Sequence, residues 1–99
     1  MFLGKVIGTV WSTKKDDKLV GAKFLLVREL DIDLNEKERF VVAVDSVGAG
    51  DGEVVIVASG SSSRMTTFTK DKPVDAVIMA IVDKLDVTIK EKLKEMVED

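Results

Sequence analysis

Runs of apolar, β-branched residues alternate with polar stretches along the chain, and five of these runs have the character of β-strands. They predict strands over residues 2–11, 22–30, 39–47, 54–59 and 76–87. In the first run Gly4 and Gly8 interrupt a strand that carries apolar residues on both faces. Glycine weakens a flat strand but permits the bends that closing a sheet requires. The pattern therefore indicates a curled, mainly β fold.

The segments between these runs are polar and predict loops. Residues 12–18 are polar and mixed in charge and predict a solvated loop, while residues 31–38 predict a hairpin loop. Residues 60–72 are rich in Ser, Thr and charge, which predicts a long connection with little regular structure. Pro73 lies where a helix could begin, two residues after Asp71, which is a possible cap. These residues predict a short helix of about one turn.

The hydrophobic period changes near the C-terminal end of the sequence. Thr88 and Glu91 match the capping-box pattern that begins helices. The apolar residues after it recur at helical spacing: Ile89, Leu93, Met96 and Val97. We therefore expect a barrel over residues 1–87 and an amphipathic helix over residues 88–99. The predicted fold class is mainly β: a five-stranded OB-like barrel, a short helical turn near Pro73 and a C-terminal α-helix.

Composition narrows the function classes. The 99 residues suit one domain, and the absence of Cys and His removes thiolate or imidazole nucleophiles, disulfides and the usual zinc ligands. The 15 basic and 18 acidic residues give a net charge of −3, which opposes nucleic-acid binding. No apolar run approaches the roughly 18 residues of a membrane span. We expect a cytoplasmic protein with no membrane contact.

Two short motifs resemble ligand sites but lack necessary residues. Gly48–Gly52 resembles a phosphate-binding glycine loop, yet Glu53 replaces the third glycine and a strand follows where a helix is needed. Asp31–Asn35 opens like a calcium loop, yet Glu36 and Val42 stand where Gly and a bidentate Glu are required. We interpret both as turns and expect no cofactor and no metal.

An enzyme and a nucleic-acid-binding module are the alternatives to a structural protein. The serines near Gly60 lack a histidine base, so we expect no catalytic residues. A five-stranded barrel is also the shape of small modules that bind single-stranded nucleic acid. That alternative depends on strand-borne cations, namely Lys5, Lys23 and Arg28, and on five aromatic residues, namely Phe2, Trp11, Phe24, Phe40 and Phe68. These aromatics fit core positions or subunit contacts better than a stacking platform, and no tyrosine adds to them.

Four ordered blocks carry a family resemblance: GKVIGTVWST, LVGAKFLLV, AVDSVGAGDGEVVIVASGSSSR and DKPVDAVIMAIVDKL. Together they resemble the EutN/CcmL family of bacterial microcompartment vertex proteins, from the first strand to about Asp86. The most specific parts are the VGAG turn, the GSS-x-R stretch and the PVDA-x-I-x-x-IVD block. Ser63 departs from the family, which usually has alanine there, and Asp17 occupies a position that is often proline.

The resemblance implies a structural shell protein and no enzyme: an OB-like barrel that forms homopentamers at the fivefold vertices of the shell. It implies hexameric shell proteins and the encapsulated enzymes as partners. It does not distinguish ethanolamine, propanediol, glycyl-radical and carboxysome compartments.

By the same resemblance, two turns are candidates for subunit contact or for the rim of an axial pore. Their residues are Gly48, Ala49, Gly50, Gly60, Ser61, Ser62 and Arg64. Ordinary hairpin chemistry is the alternative role for the same turns. At Gly50 we expect a positive φ or a close backbone approach.

Overall fold

The computed structural model describes residues 1–12, 15–60, 63 and 75–88. Its strands are β1 (Phe2–Val10), β2 (Phe24–Leu30), β3 (Glu36–Asp45), β4 (Val54–Ser59) and β5 (Ala76–Ile81). A 3₁₀ turn, Asp17–Leu19, lies between β1 and β2. All five strands were predicted, and β4 has the predicted bounds.

The five strands form a closed barrel in the order β1-β2-β3-β5-β4, which confirms the predicted architecture. Four of the five strand pairings are antiparallel, and β3 pairs with β5 in parallel. The parallel pairing that closes the barrel is short: it joins Val44 and Asp45 of β3 to Val77 and Ile78 of β5. The residues between β4 and β5 carry the chain from one strand to its antiparallel neighbour.

The barrel interior holds an aliphatic core drawn from all five strands and one loop residue. Its buried members are Val6, Leu25, Val27, Ala43, Ala49, Val55, Val57, Ala76 and Ile78. Alternate residues of each strand point inward, as the two-residue period of a strand requires. A second cluster of four buried residues lies on the outer side near one end of the barrel, where Leu19 and Phe24 pack on it: Ala22, Val44, Ala58 and Val77.

The two glycines of β1 allow close packing and bending, as their positions predicted. A Cβ on Gly4 would overlap Cγ1 of Val27 and lie 3.1 Å from the carbonyl oxygen of Arg28. The backbones of β1 and β2 approach closely here because Gly4 has no side chain. Gly8 follows a register shift that begins at Val6, so an extra residue bends β1 at this point.

β3 begins at Glu36, so the prediction that residues 31–38 form a loop was wrong in its second half. Pairing with β2 explains the difference, since Glu36 is in register with Leu30. Glu29 on β2 also lies 3.2 Å from Lys37 Nζ and 3.7 Å from Arg39 Nε. The polar residues belong to an exposed strand ribbon. The hairpin is thus shorter, and the Asp31 carboxylate closes it by accepting hydrogen bonds from two backbone N–H groups of the loop.

β5 ends at Ile81, whereas the apolar pattern predicted a strand continuing to Val87. The Val82 amide still donates to the carbonyl oxygen of Val54, at 2.8 Å, but β4 begins at Val54. Beyond that point β5 has no paired residue on β4, and Asp83 to Asp86 are exposed to solvent. The partner strand sets this boundary, not the local sequence.

One further prediction, for residues 12–18, needs correction, and several others fall on residues outside the described part of the chain. Residues 12–18 are not wholly irregular, because the Asp16 side chain accepts from the Lys18 amide and caps the 3₁₀ turn. The helical turn near Pro73, most of the connection over residues 60–72 and the helix predicted for residues 88–99 fall outside the described residues, apart from Gly60, Ser63 and Thr88. Within the described part of the chain, no helix has the length and apolar character needed to span a membrane.

Candidate subunit-contact turns

The turn after β3 is organised by the carboxylate of Asp45. Its Oδ1 accepts hydrogen bonds from the backbone amides of Val47, Gly48 and Ala49, at 3.1, 3.1 and 3.2 Å. One oxygen therefore folds the backbone around itself, as Asp side chains do at turns. Gly48 adopts φ +79°, which glycine reaches without steric cost.

The same turn is anchored to the barrel on two sides. Ser46 Oγ donates to the carbonyl oxygen of Ile78 on β5, at 2.6 Å. Ala49 is only 1% exposed and contributes to the barrel core, while the Lys23 amine lies 3.5 Å from its carbonyl oxygen. Gly48 itself is exposed to solvent. Gly48 is thus exposed to solvent, while its neighbours Ser46 and Ala49 fix the turn against the barrel.

Gly50 does not have the conformation expected of it. Its φ is not positive, and a Cβ at this residue would meet only Glu53 Oε1, at the ordinary contact distance of 3.4 Å. The left-handed positions are instead Gly48 and Gly52, the latter at φ +83°. The Gly50 amide donates to Glu53 Oε1, at 2.7 Å, so a side-chain hydrogen bond defines this part of the turn.

The turn closes against β1. The Gly52 amide donates to the carbonyl oxygen of Val6, at 2.8 Å, and the Val6 amide donates to the carbonyl oxygen of Glu53, at 3.0 Å. These two bonds extend the pairing of β1 and β4 into the turn. Gly52 and Glu53 therefore stabilise the fold of the single chain.

The second candidate turn follows β4. Gly60 has φ +65°, and its amide donates to the carbonyl oxygen of Asp75, at 2.8 Å. Ser63 is fully buried and its hydroxyl donates to the carbonyl oxygen of Gly60, at 2.6 Å. The hydroxyl that replaces the usual alanine of the resembled family is therefore satisfied within the chain. Ser61, Ser62 and Arg64 lie outside the described residues.

One turn bonds to β5 and the other bonds to the residue just before it. Ser46 bonds to Ile78 and Gly60 bonds to Asp75, three residues earlier, which is about 10 Å along an extended chain. Gly48, Ala49 and Gly50 therefore form one local unit, and Gly60 belongs to another.

Asp45 was not predicted from the sequence as the residue that shapes the first turn. An Asp placed just before a Ser-x-Gly-x-Gly segment is a turn signal, because its carboxylate reaches backbone amides a few residues on. Glu53 was not predicted as an acceptor within the turn either, since it was considered only as the residue in place of a third glycine.

Comparison with known proteins identifies the class of protein that this small closed barrel, with its glycine turns after β3 and β4, represents. The chain belongs to the EutN/CcmL family, because the family model described as "Ethanolamine utilisation protein EutN/carboxysome" matches residues 1–83. It is 48% identical over 86 residues to the bacterial microcompartment shell vertex protein GrpN of Rhodospirillum rubrum, an alignment that covers 87% of this chain and 97% of GrpN.

Two solved structures extend the likeness to three dimensions. The pentameric microcompartment shell protein GrpN of Rhodospirillum rubrum superposes with a TM-score of 0.82 at 45% identity, covering 89% of this chain and 100% of that one. CcmL of Nostoc gives a TM-score of 0.85 at 43% identity, covering 88% of this chain and 92% of that one. The resemblance inferred from the four sequence blocks is confirmed.

Proposed function

We propose that this chain is a structural shell protein that forms homopentamers at the fivefold vertices of a bacterial microcompartment. The single observation that supports this most strongly is the match to a structure described as pentameric, which extends over the full length of that relative and 89% of this chain. The family model matches residues 1–83, a range that includes all five strands.

The proposed role is geometric. A flat layer of hexagonal units cannot close into a shell without fivefold defects, and a cyclic pentamer supplies them. Such a ring is built from head-to-tail contacts, in which two different surfaces of one chain meet two neighbours. A chain of 99 residues buries only about two-thirds of its unfolded surface, so association also adds stability.

This role sets the partners and the location. Each edge of the pentamer meets hexameric shell proteins, and the inner face meets the encapsulated enzymes. The shell itself lies in the bacterial cytoplasm. The turn containing Gly48, Ala49 and Gly50 and the turn containing Gly60, Ser61, Ser62 and Arg64 serve as subunit contacts or line the axial pore. The exposure of Gly48 and Gly60 supports this assignment. No catalytic step and no cofactor enter the proposed function.

Native mass spectrometry of the purified chain tests the proposal. We expect a pentamer at micromolar concentration, with dissociation on dilution as mass action requires. The Lys15→Ala variant should also be pentameric, because Lys15 is exposed and lies in neither candidate turn. A stable monomer or dimer at the same concentration would contradict the vertex assignment.

A further inference from the structure

A groove of about 430 Å³ lies where β1 ends and β2 begins. Its walls include the side chains of Trp11, Lys15, Lys23 and Phe24, and we call it the Trp11 groove. The volume lies within the range of roughly 300–1,000 Å³ that is common for ligand sites. None of the described residues that line it belongs to the two candidate turns. The groove is therefore a separate surface feature, with two aromatic rings and two lysines.

Trp11 is the aromatic residue that the groove leaves in water. It is 89% exposed, more than any other large apolar side chain in the described part of the chain. This exposure excludes the core as the place of Trp11 within the chain. Tryptophan is enriched among the residues that dominate the free energy of protein interfaces, because its large ring loses much contact with water on binding. An exposed Trp11 in a groove thus indicates a surface that a partner covers.

The Lys15 amine is held against the second aromatic ring of the groove. Its Nζ lies 5.0 Å from the centroid of the Phe24 ring, which is within the range of a cation–π contact. The same Nζ donates to the carbonyl oxygen of Ala22, at 3.1 Å. An ammonium group has three N–H donors, so this bond leaves two for a ligand. Lys15 therefore presents a positioned cation beside the rings.

The second cation is fixed at a different anchor. Lys23 Nζ lies 3.5 Å from the carbonyl oxygen of Ala49, and the Lys23 carbonyl oxygen accepts from the Asp45 amide, at 2.9 Å. Among the described residues, neither Lys15 nor Lys23 forms an ion pair with a carboxylate. The chain as a whole has a net charge of −3, so two cations without a counter-charge give this groove a local charge opposite to that of the molecule. Such a groove attracts an acidic ligand.

We propose that the Trp11 groove binds an extended acidic peptide segment of a partner protein. An aromatic side chain of the peptide packs on Trp11, and two carboxylates pair with the amines of Lys15 and Lys23. Because the two amines are held at separate anchors, two carboxylates on one chain suit them better than one small anion does. Alternate side chains of an extended peptide share a face, so the pattern Glu-x-Phe-x-Glu presents all three groups together. This inference goes beyond the proposed function, since it assigns a partner surface outside the candidate turns.

Trp11 itself reports on binding in the groove. It is the only tryptophan of the chain, which has no tyrosine, so tryptophan emission comes from this residue alone. Titration with the peptide Gly-Glu-Gly-Phe-Gly-Glu-Gly should change that emission along a saturable curve. The same peptide with glutamine in place of both glutamates should bind at least about tenfold more weakly, because charge complementarity is lost. Equal affinity for the two peptides would refute the proposed pairing of carboxylates with lysines.

Fluorescence anisotropy of the fluorescein-labelled peptide locates the site independently of Trp11 emission. Lys15→Glu and Trp11→Ala should each weaken binding by about tenfold or more. Trp11→Phe, which keeps a ring, should weaken it less than Trp11→Ala does. Both residues are exposed, so the barrel should tolerate these changes, and circular dichroism verifies this. The absence of saturable binding by the unchanged chain, or unchanged binding by both Lys15→Glu and Trp11→Ala, would refute the groove as the site.

Lys84→Glu is the matched control for charge. It changes the net charge by the same amount as Lys15→Glu does, and Lys84 is also exposed, but it lies after the end of β5 and does not line the groove. Its affinity for the peptide should equal that of the unchanged chain. An equal loss in Lys84→Glu and Lys15→Glu would show that net charge, and not the Trp11 groove, determines binding.

Two further measurements separate the remaining outcomes. AMP, with a planar ring and one phosphate, should not displace the labelled peptide at equal concentration; displacement would make a small planar anion the ligand and overturn the peptide. Native mass spectrometry should show up to five peptides on each pentamer. A pentamer that binds no peptide refutes this inference and leaves the vertex assignment intact. A chain that binds the peptide but is never pentameric refutes the vertex assignment and retains the groove.

Discussion

Backbone dihedral angles divide the glycines of the turn after β3 into two kinds. Gly48 and Gly52 have φ angles of +79° and +83°, in the region where a Cβ atom is unfavourable. Gly50 lies between them without a positive φ and with room for a Cβ. The three glycines look equivalent in the sequence, yet only two of them are required by conformation.

Replacing Gly48 with alanine should therefore destabilise the protein, whereas replacing Gly50 should not. A Cβ in the left-handed region costs about 1–2 kcal/mol. We expect Gly48→Ala to lower the free energy of unfolding by about that amount, and Gly50→Ala to change it by less than about 0.5 kcal/mol. Urea unfolding at one fixed protein concentration measures both, since association also contributes to stability. Equal losses in the two variants would show that φ does not distinguish these glycines.

At the scale of the element, strand boundaries show which features the sequence could predict. β4 begins and ends where predicted because glycine-containing turns flank it, and those signals are local. The start of β3 and the end of β5 were missed because each depends on another strand. Glu36 is in a strand because β2 pairs with it, and β5 stops at Ile81 because β4 supplies no further residues.

The candidate turns follow the same division. Their glycines were located correctly from the sequence, because turns after strands have strong residue preferences. The positive φ expected at Gly50 was wrong, because the conformation depends on how Asp45 and Glu53 bind the backbone amides around them. The apolar row of Gly8, Leu26 and Val42 across three strands was also missed, because it appears only when the strands are placed in register.

The contact between β1 and β2 gives a second testable consequence. A Cβ at residue 4 would overlap Cγ1 of Val27, and the closed barrel restricts how far β1 can retreat. We expect Gly4→Ala to destabilise the protein by about 1–3 kcal/mol, the usual range for overpacking. Thermal unfolding should show a lower midpoint at fixed concentration.

A double-mutant cycle distinguishes this overlap from a general intolerance of β1. Val27→Ala removes the Cγ1 atom in question, so Gly4→Ala should cost less in that background than in the unchanged chain. Val27→Ala itself is destabilising, because Val27 is fully buried. Strictly additive losses would show that the overlap with Val27 is not the cause.

The segment over residues 88–99 gives a third prediction at this scale. The family match ends at residue 83, so the segment lies beyond the matched residues. The helix predicted for it would be marginal alone, because the Lys90 to Lys94 and Glu91 to Glu95 spacings would place like charges together on a short helix. We therefore expect its apolar stripe to dock on a neighbouring subunit.

Deleting residues 88–99 should then make the pentamer dissociate at a higher protein concentration than the full chain does. Native mass spectrometry over a dilution series measures this. Docking within one chain would instead lower the melting temperature without changing its dependence on concentration. A truncated chain with unchanged melting and unchanged dissociation would show that the segment stabilises neither.

At the scale of the whole molecule, the barrel shape and the charge distribution point to different partners. The fold is of the type used by modules that bind single-stranded nucleic acid, and one outward row, Lys5, Arg28 and Phe40, places two cations beside an exposed aromatic ring. The chain as a whole carries a net charge of −3. Affinity for nucleic acid depends mainly on the number of phosphates that cations neutralise, so this short row gives only a small contribution.

We therefore expect no measurable binding of labelled oligothymidine near physiological salt, as followed by fluorescence anisotropy. At low salt a weak signal should appear for the unchanged chain and disappear in Arg28→Glu, because screening acts strongly on exposed charges. Lys84→Glu is the control, since Lys84 is exposed, lies after the end of β5 and does not belong to the row of Lys5, Arg28 and Phe40, so it should leave that signal unchanged. Micromolar or tighter binding near physiological salt, lost in Arg28→Glu and retained in Lys84→Glu, would make the β2 side of the barrel a nucleic-acid surface.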